Sequence, residues 1–145
     1  MQRERSHVRS DETGDRPRVL VAGLFGFPNG VGTSARVHAY AKGLRAAGCD
    51  VGVVCLRWSE RTVEGAKNRQ AEGVYRGIPF TYSSGSPYRP ATFTRRRLRD
   101  AMSALRFARL VRGAPGQRPA RVIFHGEYAL WIVMTVVICR LMGSA

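Results

Sequence analysis

The stretch GFPNGVGTSARV, residues 26–37, concentrates the residue types that bind phosphate through the backbone. Its letters from Gly30 to Ala35 match the dinucleotide-binding pattern G-x-G-x-x-G/A, with Gly30 and Gly32 as the first two glycines. Glycines let a ligand approach backbone N–H groups closely, and a helix that starts here presents its positive dipole end to an anion. The stretch therefore predicts that residues 26–32, which we call the glycine loop, bind a phosphate or a sugar hydroxyl.

Two features of the surrounding sequence depart from the dinucleotide pattern. The first glycine of that pattern ends a strand, whereas LFGFPN, residues 24–29, intervenes here. The second strand ends in Leu56-Arg57-Trp58, without the acidic residue that binds a ribose. Because Arg57 suits a 2′-phosphate, an NAD(P)-binding oxidoreductase fragment remains an alternative, and it requires Gly30 and Gly32 at the very end of the first strand. A plain βα turn also remains open.

The elements around this loop are a strand, a helix and a second strand. RVLVAGLF, residues 18–25, is apolar on both faces, as a central parallel strand is. A helix follows, capped by Thr33 or Ser34, with an apolar face at helical spacing. Gly48 ends this helix, and DVGVVCL, residues 50–56, forms the second buried strand. The order predicts a right-handed βαβ unit.

The rest of the chain adds further strands and helices of the same class. We predict a partly helical polar segment at 59–73, a third strand at 74–84 broken around Pro79, a helix at 94–112, a strand at 121–125 and a helix at 128–142. The sequence thus predicts an α/β domain, a Rossmann-like parallel sheet flanked by helices, over 17–145. Residues 1–16 are predicted to be a disordered leader. A sheet of this kind normally continues with another strand, so we interpret the chain as the front of a longer protein.

The charge is strongly positive, with Lys+Arg 24 against Asp+Glu 10 and a net charge of +14. Such a balance favours anionic partners. Much of it falls in the helix at 94–112, where four arginines share an arc of roughly 80°. We call this set the arginine stripe: Arg95, Arg99, Arg106 and Arg109. The side predicted to face a core carries Ala101, Ala104, Leu105, Ala108 and Val111.

Three explanations of the arginine stripe remain open. It is a solvated helix face, or it docks on an anionic membrane surface, or it binds nucleic acid. We regard nucleic acid as unlikely, because no helix-turn-helix, zinc finger or aromatic-glycine motif accompanies the charge. A basic, non-catalytic module that binds anionic lipid or nucleic acid is therefore a second alternative function.

Cysteine spacing and hydropathy indicate a cellular compartment. The three cysteines are far apart and form no CxxC, which predicts no disulfide and a reducing cytosol. The N-terminus contains no apolar signal segment, and the apolar run at 129–139 is about half the length of a membrane span. We predict a cytoplasmic protein, peripheral on the inner membrane face if the stripe binds lipid, and no metal site.

Residues 18–56 resemble the opening of a GT-B glycosyltransferase, in particular of glycosyltransferase family 4. Those proteins begin with a strand, a proline and a glycine pair, and then a helix with an arginine near its start, here Arg36. The spacing L-x-x-x-G-H-x-V recurs from Leu44 to Val51, with Cys49 in place of the histidine. RVIFHGEYA, residues 121–129, is similar to the strand-plus-histidine segment at the interdomain cleft of that family.

The resemblance implies transfer of a sugar from a nucleotide-sugar to a hydroxyl acceptor, which in many such enzymes is lipid-linked. It implies that donor-binding residues lie around the glycine loop and that His125 is catalytic, near the transferred sugar, with Glu127 orienting the acceptor. The donor-binding set is Gly30, Gly32, Thr33 and Arg36. The nucleotide-sugar is the substrate, and no cofactor is implied.

The sequence departs from that family in two respects. The glycine pair is split by Val31, and the second Rossmann-like domain, which carries an E-x7-E motif and most of the donor site, is absent from these 145 residues. Glu64 and Glu72 have the spacing of that motif, but they lie in the polar segment without its glycine-proline context. The expectation is therefore one incomplete GT-B half-domain, inactive by itself. Outside the resemblance, His125 is equally explained as a hydrogen-bonded residue at a strand end.

Overall fold

The structure, a computed structural model, describes residues 16–114 and 117–143. The predicted leader, residues 1–16, lies outside the described residues except for Arg16. In chain order the elements are β1 (Arg18–Gly23), α1 (Gly32–Ala46), β2 (Asp50–Cys55), β3 (Glu72–Tyr75), β4 (Ile78–Tyr82), α2 (Phe93–Arg112), β5 (Arg121–His125) and α3 (Ala129–Met142).

The strands form one five-stranded sheet in the order β3-β4-β2-β1-β5. β1 pairs in parallel with β2 on one side and with β5 on the other, and β2 pairs in parallel with β4. Val19 to Gly23 are all buried, as expected for a strand covered on both faces. The α/β class and the β1-α1-β2 unit predicted from the sequence are confirmed, and the arrangement is compatible with a Rossmann-like fold.

The prediction of a wholly parallel sheet is wrong at one edge. Residues 74–84 do not form one broken strand, because β3 and β4 are an antiparallel hairpin with Tyr75 opposite Ile78. The two residues of its turn, Arg76 and Gly77, have φ of 49° and 78°. Positive φ at both central positions matches the twist of an antiparallel pair and closes a tight hairpin. The sheet is therefore mixed.

Helices cover the two faces of the sheet. On one face Val37 and Ala41 of α1 pack against β1, β2 and β4. On the other face Phe107 and Val111 of α2 and Trp131 of α3 pack against β1 and β2. The polar segment at 59–73, predicted to be partly helical, contains no helix and joins the sheet as a strand where β3 begins at Glu72. That segment runs along the carboxyl edge of the sheet, where it contacts the glycine loop.

The orientation of α2 differs from the prediction. Its buried residues are Ser103, Phe107 and Val111, whereas Leu105, predicted to face the core, is 62% exposed. Ser103 is buried because its hydroxyl donates to the Leu56 carbonyl and bonds to the hydroxyl of Ser83. A polar side chain with its hydrogen bonds satisfied can therefore occupy the contact face, which a search for apolar residues does not find.

Helix α3 buries Trp131, Thr135 and Cys139 and leaves several large apolar side chains exposed, among them Leu130 and Leu141. The short apolar run predicted to be a helix is thus confirmed as one. In the described part of the chain, no helix combines the length and the apolar character needed to cross a membrane.

Candidate functional site

A cavity of about 600 Å³ lies at the carboxyl ends of β1 and β2. One wall is the loop between β1 and α1, and the other is the segment that follows β2. Open α/β sheets bind their ligands at this edge, because the loops there diverge and leave a crevice. We call this cavity the candidate site. Its loop wall includes Gly26, Asn29, Gly30, Thr33 and Ser34, and its opposite wall includes Arg57, Trp58, Ser59 and Glu60.

The glycine loop is held in place by side chains from α1 and from the polar segment at 59–73. The hydroxyl of Ser34 in α1 donates to the Gly26 carbonyl. The buried amide of Asn68 accepts from the Asn29 N–H at 2.9 Å and donates to the Asn29 carbonyl at 2.6 Å. These bonds tie the loop to α1 and to the polar segment, so the loop wall is a fixed surface.

Tyr82 at the end of β4 adds a further attachment. Its hydroxyl lies 3.1 Å from both the N–H and the carbonyl oxygen of Phe27 and 2.9 Å from the hydroxyl of Ser59. Burial raises the pKa of this phenol, so it stays protonated and available as a donor at neutral pH. The start of the loop is thereby fixed to the centre of the sheet.

Glu60 is the acidic residue of the candidate site. Burial by itself raises its pKa, but the hydrogen bonds it accepts from the Asn68 amide, the Lys67 N–H and the Ser59 hydroxyl outweigh burial and lower the pKa overall. The shortest of these bonds, from Asn68 Nδ2 to Glu60 Oε1, is 2.7 Å. Glu60 is therefore ionised at neutral pH, and it orients Asn68 toward the loop.

The N-terminus of α1 opens without a side-chain cap. The cap position is Val31 and not Thr33 or Ser34 as predicted, because the Ser34 hydroxyl is bonded to Gly26 instead. The first N–H groups of a helix have no partner one helical turn back, and of those in the first turn of α1 the Ser34 N–H donates to the Val31 carbonyl at 2.8 Å. The N–H groups of Gly32 and Thr33 are the ones that can bind an anion here. Thr33 lines the candidate site at this turn.

Gly30 and Gly32 have different reasons to be glycine. A Cβ at Gly30 would lie 1.9 Å from the Ser34 hydroxyl and 3.0 Å from the Gly26 carbonyl, so packing within the loop requires glycine there. A Cβ at Gly32 would meet nothing within 4 Å. Folding therefore accounts for Gly30, whereas nothing in the described structure requires a glycine at position 32.

Positive charge dominates the candidate site. Its described lining has three cationic residues, Arg57, Lys67 and Arg89, against one acidic residue, Glu60. The guanidinium of Arg57 lies 4.4 Å from the centre of the Trp58 ring, and its Nε is 3.7 Å from Asp100 in α2. These contacts orient Arg57 beside the cavity, an arrangement that suits an oxyanion.

Asp100 is the acidic partner that α2 supplies to this edge. Burial raises its pKa, while Arg57 and Arg97 oppose that rise. The carboxylate of Asp100 thus lies between a cation of the candidate site and a cation of its own helix.

His125 lies beside the candidate site and is not part of its lining. It ends β5 opposite Gly23, is half-buried, and its ring meets the edge of Phe25 with centroids 6.4 Å apart. Phe25 does line the cavity, so one aromatic side chain separates the two. Glu127 is exposed and outside the lining, whereas the next residue, Tyr128, is in it.

The structure thus brings together part of the predicted set. Gly30 and Thr33 line the candidate site, whereas Gly32 and Arg36 do not, although both lie in the first turns of α1. Three further lining residues, Trp58, Lys67 and Arg89, were not predicted to belong to a site. Trp58 could have been predicted, because it lies two residues after the end of the predicted strand at 50–56, where ligands bind. Lys67 and Arg89 come from irregular segments that no periodic pattern identifies.

The arginine stripe is not uniform in its surroundings. Arg95 is exposed, and Arg99 is half-buried with its guanidinium donating to the Tyr88 carbonyl at 3.2 Å. Arg106 and Arg109 are exposed and line a separate cleft beside β3 and β4. Three large apolar side chains are exposed on the same helix: Leu98 at 62%, Met102 at 42% and Leu105 at 62%.

Comparison with known proteins gave no match: no family model, no curated protein and no solved structure matches this chain. Fold and site together define an α/β protein whose mixed sheet carries a rigid, cationic cavity at its carboxyl edge.

Proposed function

We propose that this chain is the N-terminal, acceptor-side half of a GT-B glycosyltransferase, which transfers a sugar from a nucleotide-sugar to a hydroxyl acceptor. The observation that carries the proposal is the uncapped start of α1 facing a cavity with three cationic side chains, reached through a long glycine loop. The resemblance of residues 18–56 to glycosyltransferase family 4 supports the same function. A second, donor-binding domain is required for activity.

In the proposed reaction, the residues of this half stabilise charge and form no covalent bond to the substrate. When the glycosidic bond of the donor breaks, its electron pair leaves on the diphosphate, and the acceptor hydroxyl supplies the new bond and releases a proton. The N–H groups at the start of α1 and the cations Arg57 and Lys67 stabilise the negative charge that develops on the leaving group. His125, behind Phe25, is the residue we assign to the transferred sugar, and Glu127 to the acceptor.

The oxidoreductase alternative finds less support. It requires the two glycines at the very end of the first strand, but β1 ends at Gly23 and residues 24–29 separate Gly30 from it. β2 ends at Cys55, and the residues that follow are Leu56 and Arg57, without a carboxylate for a ribose. The plain-turn alternative accounts for Gly30 and leaves Gly32 unexplained.

Gly32→Ala tests the proposal with little risk to the fold. Because a Cβ at this position meets nothing, we expect the free energy of unfolding to stay equal or to rise by about 0.5 kcal/mol. We expect the dissociation constant for UDP-glucose or GDP-mannose, measured by calorimetry on the full chain, to rise about fivefold. Gly32 itself is outside the lining, but it is the first residue of α1 and stands between the lining residues Val31 and Thr33, so a methyl group there crowds the helix N-terminus.

Gly43→Ala is the matched control. Gly43 is exposed within the same helix, and a Cβ there also meets nothing within 4 Å. This variant should be stabilised to a similar or greater degree and should bind both nucleotide-sugars as the wild type does. Absence of binding to either nucleotide-sugar by the wild-type chain, or an equal loss in both variants, would end the proposal for this site.

A membrane-facing role for α2 is the second part of the proposal. At about 100° per residue, Leu98 and Leu105 fall along one edge of the arginine stripe and Met102 falls within it. Exposed apolar side chains beside a row of arginines are typical of helices that lie in the interface of an anionic bilayer. A lipid-linked acceptor would be reached from such a position.

Leu98→Gln with Leu105→Gln tests the membrane contact. We expect about tenfold weaker co-sedimentation with phosphatidylcholine vesicles that contain phosphatidylglycerol, because two side chains that enter the interface are lost. The control double variant is Val63→Gln with Val74→Gln, since both valines are 69% exposed and lie outside α2. It should bind vesicles normally. Equal binding by all three proteins would exclude α2 as the docking face.

A further inference from the structure

A second cavity, of about 440 Å³, lies at the opposite edge of the sheet from the candidate site. Its lining comes from the last turns of α1, from Arg16 just before β1, and from the turn between β3 and β4. Because β1 and β4 are parallel strands of one sheet that begin here, this edge is the one where the strands start. We call it the hairpin cavity.

The hairpin cavity is lined by four cationic side chains, Arg16, Lys42, Arg45 and Arg76, with His38 beside them. No acidic residue of the described chain lines it. Of the ion pairs between described residues, Arg18–Asp50 lies at the same edge of the sheet but outside the lining, and Arg57–Asp100 and Arg97–Asp100 involve α2. Four positive charges around one cavity repel one another, and a bound polyanion would offset that repulsion because it attracts all four.

The backbone at Arg76 is the second observation. Among the described residues, Arg76 is the one non-glycine residue with a positive φ, at 49°. Asparagine or glycine adopts this conformation more readily, and an arginine here costs about 1 kcal/mol. The strained turn directs Arg76 to the cavity, where its guanidinium lies 5.3 Å from the centre of the Tyr75 ring.

Gly77, the other residue of the turn, makes room for a second cation. A Cβ there would lie 2.6 Å from Nη1 of Arg45, so the bare backbone lets the guanidinium of Arg45 rest against the turn. Two arginines from separate elements, α1 and the hairpin, are thus brought to one concavity by specific backbone geometry. Guanidinium groups that line one cavity can bind phosphoryl oxygens through paired hydrogen bonds.

We propose that the hairpin cavity binds an oligophosphate group, either as a soluble molecule or as the head group of a phosphorylated lipid. The site is separate from the candidate site and does not depend on the proposed glycosyl transfer. Its specificity comes from positive charge and from the two guanidinium groups, of Arg45 and Arg76, in its lining.

Arg45→Gln combined with Arg76→Asn tests the hairpin cavity. Glutamine maintains the helix, and asparagine tolerates a positive φ, so we expect this double variant to unfold at the wild-type temperature or above it. Its affinity for inorganic tripolyphosphate, measured by calorimetry, should fall at least tenfold. The matched control is Arg112→Gln with Arg61→Asn, which removes the same charge from another helix end and another loop and should change affinity by less than twofold.

The source of the phosphate is decided with vesicles. Sedimentation of the wild-type chain with phosphatidylcholine vesicles that contain phosphatidylinositol bisphosphate, reversed by tripolyphosphate and lost in the cavity variant, supports a lipid head group. Tripolyphosphate binding without vesicle binding supports a soluble ligand. Absence of both, an equal loss in the two double variants, or a loss of tripolyphosphate binding in Gly32→Ala and not in the cavity variant would each overturn the proposal.

Discussion

Replacing Gly23 by alanine is expected to lower the free energy of unfolding by about 3 kcal/mol. Gly23 is the last residue of β1 and is buried between Cys55 of β2 and His125 of β5. A Cβ added there would lie 2.0 Å from the carbonyl oxygen of His125 and 2.9 Å from its carbonyl carbon. Backbone atoms cannot rotate away as a side chain can, so β5 must separate from β1.

Gly52→Ala is the matched control for this effect. Gly52 lies in β2 opposite Leu20, and a Cβ there meets only the Cδ2 methyl group of Leu20, at 3.1 Å. Because that methyl group can shift by a few tenths of an ångström, we expect a change of less than about 1 kcal/mol. Urea-induced unfolding of both variants measures the difference. Equal stability of the two would show that β1 and β5 are not in this close contact.

The same substitution reports on the site. The Leu24 N–H donates to the His125 carbonyl at 3.4 Å, so His125 is positioned by the contact that Gly23→Ala disrupts. If the folded fraction of Gly23→Ala still binds nucleotide-sugar with wild-type affinity, the position of His125 does not matter for donor binding. Its assigned role would then be confined to the transfer step.

The centre of the sheet could be predicted from the sequence because its signals are local. Residues 18–25 and 50–56 are short runs that are apolar on both faces, as buried parallel strands are, and Gly48 provides the positive φ that ends α1. The hairpin at Arg76 and Gly77 could not be predicted in the same way. A positive φ is unfavourable for arginine, so the residue type at position 76 does not predict a tight hairpin turn there. The turn forms because β3 and β4 pair on either side of it.

The candidate site was predictable on one wall only. The glycine loop is predicted from its own glycines and proline, and in the structure it lies between β1 and α1 as predicted. The opposite wall depends on Asn68, which is 2% exposed and lies in a polar segment without periodicity. Its burial arises from hydrogen bonds to Asn29 and Glu60, contacts between residues far apart or in irregular backbone. A helical or strand pattern cannot encode such contacts.

Replacing Asn68 by aspartate should lower the free energy of unfolding by about 2 kcal/mol at pH 7 and weaken nucleotide-sugar binding. The two short hydrogen bonds that the Asn68 amide donates go to the Asn29 carbonyl at 2.6 Å and to Glu60 Oε1 at 2.7 Å, with a longer one to the Ser59 hydroxyl at 3.4 Å. A carboxylate in its place can still accept from the Asn29 N–H. Its second oxygen, however, would lie against the Asn29 carbonyl oxygen and Glu60 Oε1, and these oxygens repel one another. Asn29→Asp is the control for stability alone, because the exposed Asn29 side chain donates only to the Lys67 carbonyl, and Asn29 itself lines the candidate site.

The pH dependence distinguishes this mechanism from a simple loss of packing. In the wild type the pKa of Glu60 is lowered, so its contribution to stability is full above the ordinary glutamate pKa and is lost as the pH falls through the lowered value. In Asn68→Asp two adjacent carboxylates raise the pKa of one of them, so stability falls as the pH rises through that raised value. The difference in stability between the two proteins should therefore be largest at neutral pH and shrink toward pH 4, as measured by urea titrations across that range. A difference that stays constant with pH would mean that Asn68 acts through packing, and that the charge of Glu60 does not support the wall of the site.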